Sequence, residues 1–227
     1  MPIAFRHRDD PTPFKPLVPG LAVPREHDAA VMARLQARSE SEMEGRFAAG
    51  NHAYVATLDG VPAAWGWVAT SSASIGELNA SFAVSSADRY LWNFVTLAAS
   101  RGRGIYPRLL DAIVEFESAD GERFWIAYAP ENHASGTGIQ KAGFTLVAEL
   151  SFDRAGYPVV KDIRAGGGRA ASALLGLPEI TEAVAQCWKC ARGPNPSESS
   201  CAWRSGSSAP RRRSRRRASP ARASHPS

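Results

Sequence analysis

The stretch SRGRGIYPRLL, residues 100–110, decides how this chain folds. It follows a run of apolar and aromatic residues, YLWNFVTL at 90–97, and leads directly into a helical pattern. From Tyr106 to Val114 apolar side chains recur at intervals of three and four residues, which predicts one apolar helix face. FWIAYA at 124–129 then predicts a second buried strand. Strand, helix and strand in this order indicate a right-handed parallel crossover.

The segments on either side of this crossover predict the rest of a mixed α/β sheet. Two helical stretches lie between Pro24 and Gly50. An Asp59-Gly60 turn is the strongest short-range signal for a hairpin. Residues 1–20 are rich in proline and charge, and we expect them to be irregular. The remaining predicted elements are strands at 17–23, 53–58, 61–69, 78–84, 144–152 and 158–163 and a short helix at 135–142.

Charge divides the chain into two parts. Residues 1–163 carry a net charge of −4, whereas residues 164–227 carry +9. We predict one domain at 1–163, a short helical extension at 164–191 and a disordered tail rich in Arg, Pro and Ser at 192–227. The high isoelectric point is therefore a property of the tail and not of a site in the domain.

Several classes of protein are not indicated by this composition. The sequence contains no run of 18 apolar residues, so no membrane-spanning helix is predicted. MPIAFRHRDD lacks the apolar core that is typical of a secretory signal. Cysteine first appears at Cys187, so no disulfide framework is expected in the domain. A cytoplasmic protein fits this pattern. Cys187 and Cys190 form a C-x2-C pair, but no full set of zinc ligands accompanies them, and we expect no metal.

The alternation of arginine and glycine at 101–104 is typical of a loop that wraps an anion. Backbone N–H groups at a helix start have no helical partner and lie at the positive end of the helix dipole. Gly102 and Gly104 allow a sharp bend and a close approach of a ligand, while Arg101 and Arg103 add positive charge. These features predict a pyrophosphate cradle, with a basic solvated turn as the alternative. No Lys-Ser/Thr pair follows, so the nucleoside-triphosphate loop is not indicated.

Residues 90–113 resemble the acetyl-CoA-binding strand, loop and helix of the GNAT (GCN5-related N-acetyltransferase) superfamily. That family has the pattern Arg/Gln-x-x-Gly-x-Gly/Ala, and Arg101 through Ile105 fit its first five places. NHASGTGIQKAGF at 132–144 is similar to the second signature of the family, an Asn before a short helix that ends in Gly-Phe. The resemblance covers roughly residues 15–163 and implies a GNAT-like acyl-CoA N-acyltransferase fold.

The resemblance also implies a set of cofactor-binding residues. The strand edge would hydrogen-bond the pantetheine arm, and the loop amides would hold the pyrophosphate. Asn132 would contact the pantetheine where two strands separate, and Ser135 would lie beside it. The implied residues are Thr96, Leu97, Ala98, Arg101, Gly102, Arg103, Gly104, Ile105, Tyr106, Asn132 and Ser135.

The sequence departs from the family pattern in three places. Tyr106 stands where the family usually has Gly or Ala, and Ile139 stands where many members have a tyrosine that acts as general acid. Ala98-Ala99-Ser100 replaces a more usual Pro-acidic-aromatic turn. The catalytic residues are therefore left unassigned. Glu77, at the start of a strand, and Asp88, in the following turn, are candidate bases, with solvated surface acids as the alternative.

Other polar and aromatic residues have two interpretations each. Tyr128 either reaches the cofactor sulfur or is a core tyrosine. Asn93 interrupts an apolar strand and either is hydrogen-bonded in the core or faces the acceptor. Three tryptophans are predicted to lie in the core, with an acceptor platform as the alternative: Trp65, Trp67 and Trp92.

Three functions remain open from the sequence. The first is an acetyl-CoA-dependent N-acyltransferase that acts on a primary amine of a small molecule or peptide. The second is a catalytically silent protein that binds CoA as a regulator or scaffold, since Ile139 replaces the usual tyrosine. The third is weak, salt-sensitive binding of nucleic acid through RRRSRRR at 211–217.

Overall fold

The computed structural model describes residues 1–78, 80–153 and 155–181 of the 227-residue chain. Within these residues five helices and twelve strands form, together with short 3-10 helices at Gly76–Leu78 and Ala98–Ser100. The helices are α1 (Ala29–Gln36), α2 (Glu40–Ala48), α3 (Ile105–Glu117), α4 (His133–Lys141) and α5 (Gly167–Leu175). The strands are β1 (Pro2–His7), β2 (Leu21–Ala22), β3 (Arg25–Glu26), β4 (Asn51–Leu58), β5 (Val61–Ala69), β6 (Ser72–Ile75), β7 (Ala80–Ala83), β8 (Asp88–Thr96), β9 (Arg123–Ala127), β10 (Thr145–Phe152), β11 (Pro158–Asp162) and β12 (Glu179–Ile180).

Ten strands form one mixed sheet, which confirms the predicted fold class. Its order is β12-β11-β10-β1-β9-β8-β5-β4-β2, with β3 also pairing with β4. The pairs β8–β9 and β11–β12 are parallel, and the other neighbours in this sheet are antiparallel. β6 and β7 form a separate hairpin. No helix in the described part of the chain is long and apolar enough to cross a bilayer.

The crossover from β8 through α3 to β9 has the predicted order and parallel pairing. Leu109, Leu110 and Ile113 of α3 are fully buried against one face of the sheet, as the helical periodicity predicts. The opposite face is covered by α1 and α2 on one side and by α5 on the other. The sheet is therefore buried on both faces, and the loop between β8 and α3 lies at one end of it.

The prediction that residues 1–20 are irregular is wrong for the first residues of the chain. Residues 2–7 form β1, a central strand of the sheet. β1 lies between β9 and β10 and pairs antiparallel with both. Its Arg6 is 2% exposed and donates to the Asp111 carboxylate at 2.9 Å and to the Ala142 carbonyl at 2.6 Å. The strand was not predicted because charged residues usually lie on the surface. Arg6 is buried only because Asp111, a partner distant in the sequence, pairs with it.

β8 leaves its neighbour β9 halfway along its length. The parallel pairing ends at Leu91 and Ile126, whereas β8 continues beside β5 as far as Thr96. The buried strand predicted at 90–97 is thus buried on both faces only in its first half. In the described residues, no strand pairs with the edge of β8 that faces β9 beyond Leu91. This edge is open for a ligand with backbone-like amides.

A β-bulge marks the point where the strands separate. Asn93 has a left-handed backbone with φ of 52°, and the register between β5 and β8 shifts across Gly66. The ring of Phe94 lies directly over Gly66, where a Cβ atom would collide with it. Gly66 is therefore required for this local bend of β8, which turns its last residues toward the loop.

Residues 164–181 also pack on the sheet. α5 buries Ala171, Leu174 and Leu175 against the face formed by β10 and β11, and β12 pairs with β11. One of the short helices expected between 164 and 191 is therefore present. Cys187, Cys190 and the predicted tail at 192–227 lie outside the described residues.

Candidate functional site

The loop between β8 and α3 has the backbone conformation that its glycines suggest. Gly102 and Gly104 both have left-handed φ angles, 75° and 71°, and Gly104 is the N-cap residue of α3. A residue with a side chain is strained in this region, so glycine is favoured by conformation alone. No side chain caps the helix start. The first amides of α3 thus have no helical acceptor and are available to an anion.

The space in front of these glycines is open. A Cβ atom added at Gly102 or Gly104 would meet no other atom within 4 Å. The two arginines of the loop are exposed, and the Arg101 Nε donates to the Thr96 carbonyl at 3.1 Å. This contact holds the first arginine against the end of β8. The loop therefore combines uncapped amides, exposed positive charge and free space, which is the arrangement expected of an anion cradle.

The loop forms one wall of a cleft of about 640 Å³. We call it the β8–α4 cleft, because residues 94–96 of β8 and the first turns of α4 form its other walls. The two sequence motifs, which are separated by a helix and a strand, therefore line the same cleft. Of the predicted residues, it is lined by Thr96, Arg101, Gly102, Gly104, Ile105, Tyr106, Asn132 and Ser135.

Three predicted residues do not line this cleft. Arg103 is exposed at the tip of the loop. The Leu97 amide already donates to the Ala63 carbonyl at 2.9 Å, and Ala98 begins the short 3-10 helix. Two further residues line the cleft but were not predicted from the sequence: Lys141, at the C-terminal end of α4, and Gly138. The signal in the sequence for Lys141 was its positive charge two residues before the Gly143-Phe144 motif.

Asn132 and Ser135 lie at the start of α4. The Asn132 side chain caps the helix, because its Oδ1 accepts from the Ser135 amide at 3.1 Å. This bond occupies the amide oxygen of Asn132, so its NH2 group is the part suited to donate to a ligand. The Ser135 hydroxyl is 3.3 Å from the Tyr106 hydroxyl.

Tyr106 bridges the elements that surround the cleft. Its ring lies against Gly138 of α4, and its centroid is 5.6 Å from that of Phe94 on β8. Burial raises the pKa of Tyr106 to about 12, so the phenol stays protonated at neutral pH. The bulky residue at this place of the motif therefore packs sideways across α4 and leaves the loop amides accessible.

Asp88 is not a solvated acid or a base for this cleft, because it is a buried structural group. It is 6% exposed and accepts hydrogen bonds from Arg123, Trp125 and Ser85 at 2.5–2.9 Å. These bonds lower the pKa of Asp88 despite its burial. Asp88 begins β8, whereas the loop follows the other end of this strand. At the usual rise of about 3.3 Å per residue, the two ends of β8 are about 25 Å apart.

The other candidate base, Glu77, is also placed differently from its prediction. It lies on the 3-10 helix between β6 and β7 and not at the start of a strand. Tyr128 follows β9, and its half-buried ring packs against Gly136 of α4. The ring also packs against the core cluster that α3 and α4 form, and burial raises the pKa of Tyr128. Among the described residues, no aspartate or glutamate lines the β8–α4 cleft.

Two of the three tryptophans are buried in the core, as predicted, and the third is partly buried. Trp65 and Trp67 are 6% and 0% exposed and pack with α1 and α2. Trp92 is half-buried, and the Arg46 guanidinium lies over it at 4.9 Å from the ring centroid. Asn93 is exposed and donates from Nδ2 to Gln36 of α1 at 3.0 Å. The polar residue in the apolar strand thus faces the surface beside α1 and not the core.

Ile139 is fully buried in the core formed with α3. We expect Ile139→Tyr to destabilise the protein by about 1–3 kcal/mol, because a phenol ring overpacks this position. The measurement is the free energy of unfolding in urea. The exposed neighbour Gln140→Tyr is the matched control and should change stability by less than about 0.5 kcal/mol. Equal stability of the two variants would contradict the assignment of Ile139 to the core.

Comparisons with known proteins give matches in solved structures alone. No protein-family model matches the chain, and no curated protein matches it. One similar structure is an acetyltransferase assigned to the GNAT family from Novosphingobium aromaticivorans, with 20% identity and a TM-score of 0.44. The match covers 64% of this chain, which spans 59% of that protein's length.

Two further structures are similar to this chain at the same level. Aminoglycoside N-acetyltransferase AAC(6')-Iy, solved with CoA, is 18% identical with a TM-score of 0.43, covering 59% of this chain and 98% of that one. A ribosomal-protein-alanine N-acetyltransferase from Brucella melitensis biovar Abortus 2308 is 12% identical with a TM-score of 0.41, covering 54% and 89%. The solved structures similar to the chain thus include a protein assigned to the GNAT family, which residues 90–113 and 132–144 resemble.

Proposed function

We propose that this chain is an acetyl-CoA-dependent N-acyltransferase of the GNAT type that transfers an acetyl group to a primary amine of a small molecule or peptide. One observation carries the proposal. Uncapped amides at the start of α3, the open edge of β8 and the start of α4 all line one cleft. A pyrophosphate with an extended, amide-bearing arm has the shape and chemistry that suit these three surfaces.

Each part of the donor has a place in this proposal. The pyrophosphate lies on the amides of residues 102–106, where the helix dipole and Arg101 favour negative charge. The pantetheine arm lies along residues 92–96 of β8, and the Asn132 NH2 donates to it. Lys141 adds a second positive charge to the cleft. Because a bound arm would satisfy the free edge of β8, it would complete the hydrogen bonding that β9 leaves open.

The reaction is direct attack of the amine on the thioester carbonyl. The C–N bond forms as the C–S bond breaks, the ammonium loses its proton before attack, and the thiolate takes up a proton on departure. The described residues that line the cleft include no carboxylate, and no residue is assigned as the base for the first proton. The chain's contribution is then the positioning of the thioester, which converts a bimolecular reaction into one of bound partners.

A second candidate function uses the same cleft to bind CoA but involves no acetyl transfer. In this alternative the chain binds CoA as a regulator or scaffold. Two observations favour it: Ile139 is buried and has no ionisable group, and no described aspartate or glutamate lines the cleft. The binding surfaces are the same in both functions, so binding alone does not separate them.

Calorimetry and a thiol assay separate these functions. CoA and acetyl-CoA are titrated into the full chain, and CoA release is then followed across a panel of primary amines. The proposal predicts binding and amine-dependent release above the rate without protein. Binding with no release for any amine would favour the scaffold. No binding of either compound at millimolar concentration would overturn both.

A further inference from the structure

The proposed function uses the backbone amide of Tyr106 but gives its side chain no role. Its backbone belongs to the cradle, but its side chain extends about a ring's length away from it, toward α4. The Tyr106 side chain has three neighbours. Its ring lies against Gly138, and its centroid is 5.6 Å from the centroid of the Phe94 ring. Its hydroxyl oxygen is 3.3 Å from the Ser135 hydroxyl oxygen. Phe94 belongs to β8 and the other two belong to α4. The ring therefore lies between the two walls of the cleft.

Gly138 makes this position of the ring possible. A Cβ atom at Gly138 would collide with the Tyr106 ring carbon Cδ1, well inside contact distance. Gly138 is helical, is buried and has no left-handed φ, so its backbone does not require glycine. The reason for glycine at this place is thus the space that it leaves for the ring. With a larger residue on α4, the ring would have to move toward β8, whose open edge forms the opposite wall.

We propose that Tyr106 and Gly138 set the width of the β8–α4 cleft and are specificity-determining residues for the acyl carrier. This inference rests on the proposed function. The pair would exclude carriers with a bulky arm, because the ring already packs against both Phe94 of β8 and Gly138 of α4 and so closes that side of the cleft. The contact between the Tyr106 and Ser135 hydroxyls holds the ring against α4. Neither side chain takes part in the chemical step.

A double-mutant cycle tests this inference by calorimetric titration with CoA. Gly138→Ala should weaken CoA affinity about tenfold in the wild-type background, because the added methyl group pushes the ring into the cleft. With Tyr106→Ala already in place, the same change should alter affinity less than about twofold. A loss of equal size in both backgrounds, or no loss in the folded Gly138→Ala variant, would overturn the inference.

The structure offers a matched control on the same helix. A Cβ atom at Gly136 would meet the Tyr128 ring at 2.8 Å, but Gly136 does not line the cleft. Gly136→Ala should therefore affect stability and leave CoA affinity unchanged. If Gly138→Ala fails to fold, Tyr106→Trp is the second probe. Its larger ring should weaken CoA affinity about tenfold, and unchanged affinity would contradict the inference.

Failure of this inference and failure of the proposed function are distinguishable. If the wild-type chain does not bind CoA, the proposed function fails before the cycle begins. If the wild-type chain binds CoA and the cycle shows no coupling between Tyr106 and Gly138, only the width-setting role is lost.

Discussion

Gly104→Glu is expected to abolish CoA binding, with affinity reduced at least about 100-fold. The new side chain would project into the space that the pyrophosphate is proposed to occupy, where nothing now lies within 4 Å. Its carboxylate would repel the phosphates and attract the cationic groups that serve them. The measurement is calorimetric titration with CoA, accompanied by thermal unfolding to establish that the variant is folded.

Gly60 provides the control for this variant. It also has a left-handed φ, 81°, and open space around it, but it lies in the hairpin between β4 and β5. Gly60→Glu introduces the same charge and a similar backbone strain at the same end of the sheet, but outside the residues that line the β8–α4 cleft. It should lose comparable stability and keep the wild-type affinity for CoA. Equal affinity of the Gly104 and Gly60 variants would show that the loop does not bind the pyrophosphate.

Glu117→Gln is expected to have the largest effect on stability, about 3 kcal/mol. The Glu117 carboxylate, 4% exposed at the end of α3, accepts from His52 and Tyr54 at 2.6 Å and from Arg89 at 2.9 Å. A neutral amide would leave the Arg89 guanidinium, which is 5% exposed, without its opposite charge. Urea unfolding measures the loss. Glu115→Gln, at an exposed position of the same helix, should be neutral.

The same carboxylate makes stability depend on pH. Although burial opposes ionisation, the hydrogen bonds from His52, Tyr54 and Arg89 hold the pKa of Glu117 at about 2, below its ordinary value of 4.5. Its contribution is therefore fully present above pH 4.5 and is lost as the pH falls toward 2. We expect the wild-type chain to lose more stability over this range than Glu117→Gln. Parallel acid profiles of the two proteins would contradict the assigned role of Glu117.

The crossover was predictable from the sequence because its signals are local. Apolar spacing places α3, and glycines at fixed positions set the turn, so both can be read within about 25 residues. The hairpin at Asp59-Gly60 was predictable for the same reason. One wall of the β8–α4 cleft was predictable from the crossover, because the loop at the end of a parallel strand lies beside the start of the next helix.

The features that sequence reasoning missed depend on distant partners. β1 has a buried Arg6, which only the contact with Asp111, more than 100 residues away, makes possible. Asp88 follows Ser85-Ser86-Ala87 and so looked like part of a polar turn, yet Arg123 and Trp125 bury and pair it. Local pattern alone could not predict either outcome, because long-range pairing overrides the tendency of charged residues to lie on the surface.

The side chain of Tyr106 shows the same limit within the candidate site. Its place in the motif was evident from the sequence, but its contact with Gly138 joins two helices that only the folded sheet brings together. The bulge at Asn93 also depends on a partner, since Gly66 on β5 makes room for Phe94. Local sequence predicted the glycine turn before α3, but neither the contact between Tyr106 and Gly138 nor the open edge of β8.

The central claim is that the amides at residues 102–106 hold the pyrophosphate of CoA, and backbone NMR of the wild-type chain tests it most directly. CoA is added to ¹⁵N-labelled protein, and the amide shifts of Gly102–Tyr106 are compared with those of Asn51–Tyr54 at the opposite end of the sheet. The account predicts large, saturable shifts for the loop and little change at the opposite end. A loop whose amide shifts do not move at saturating CoA would contradict it.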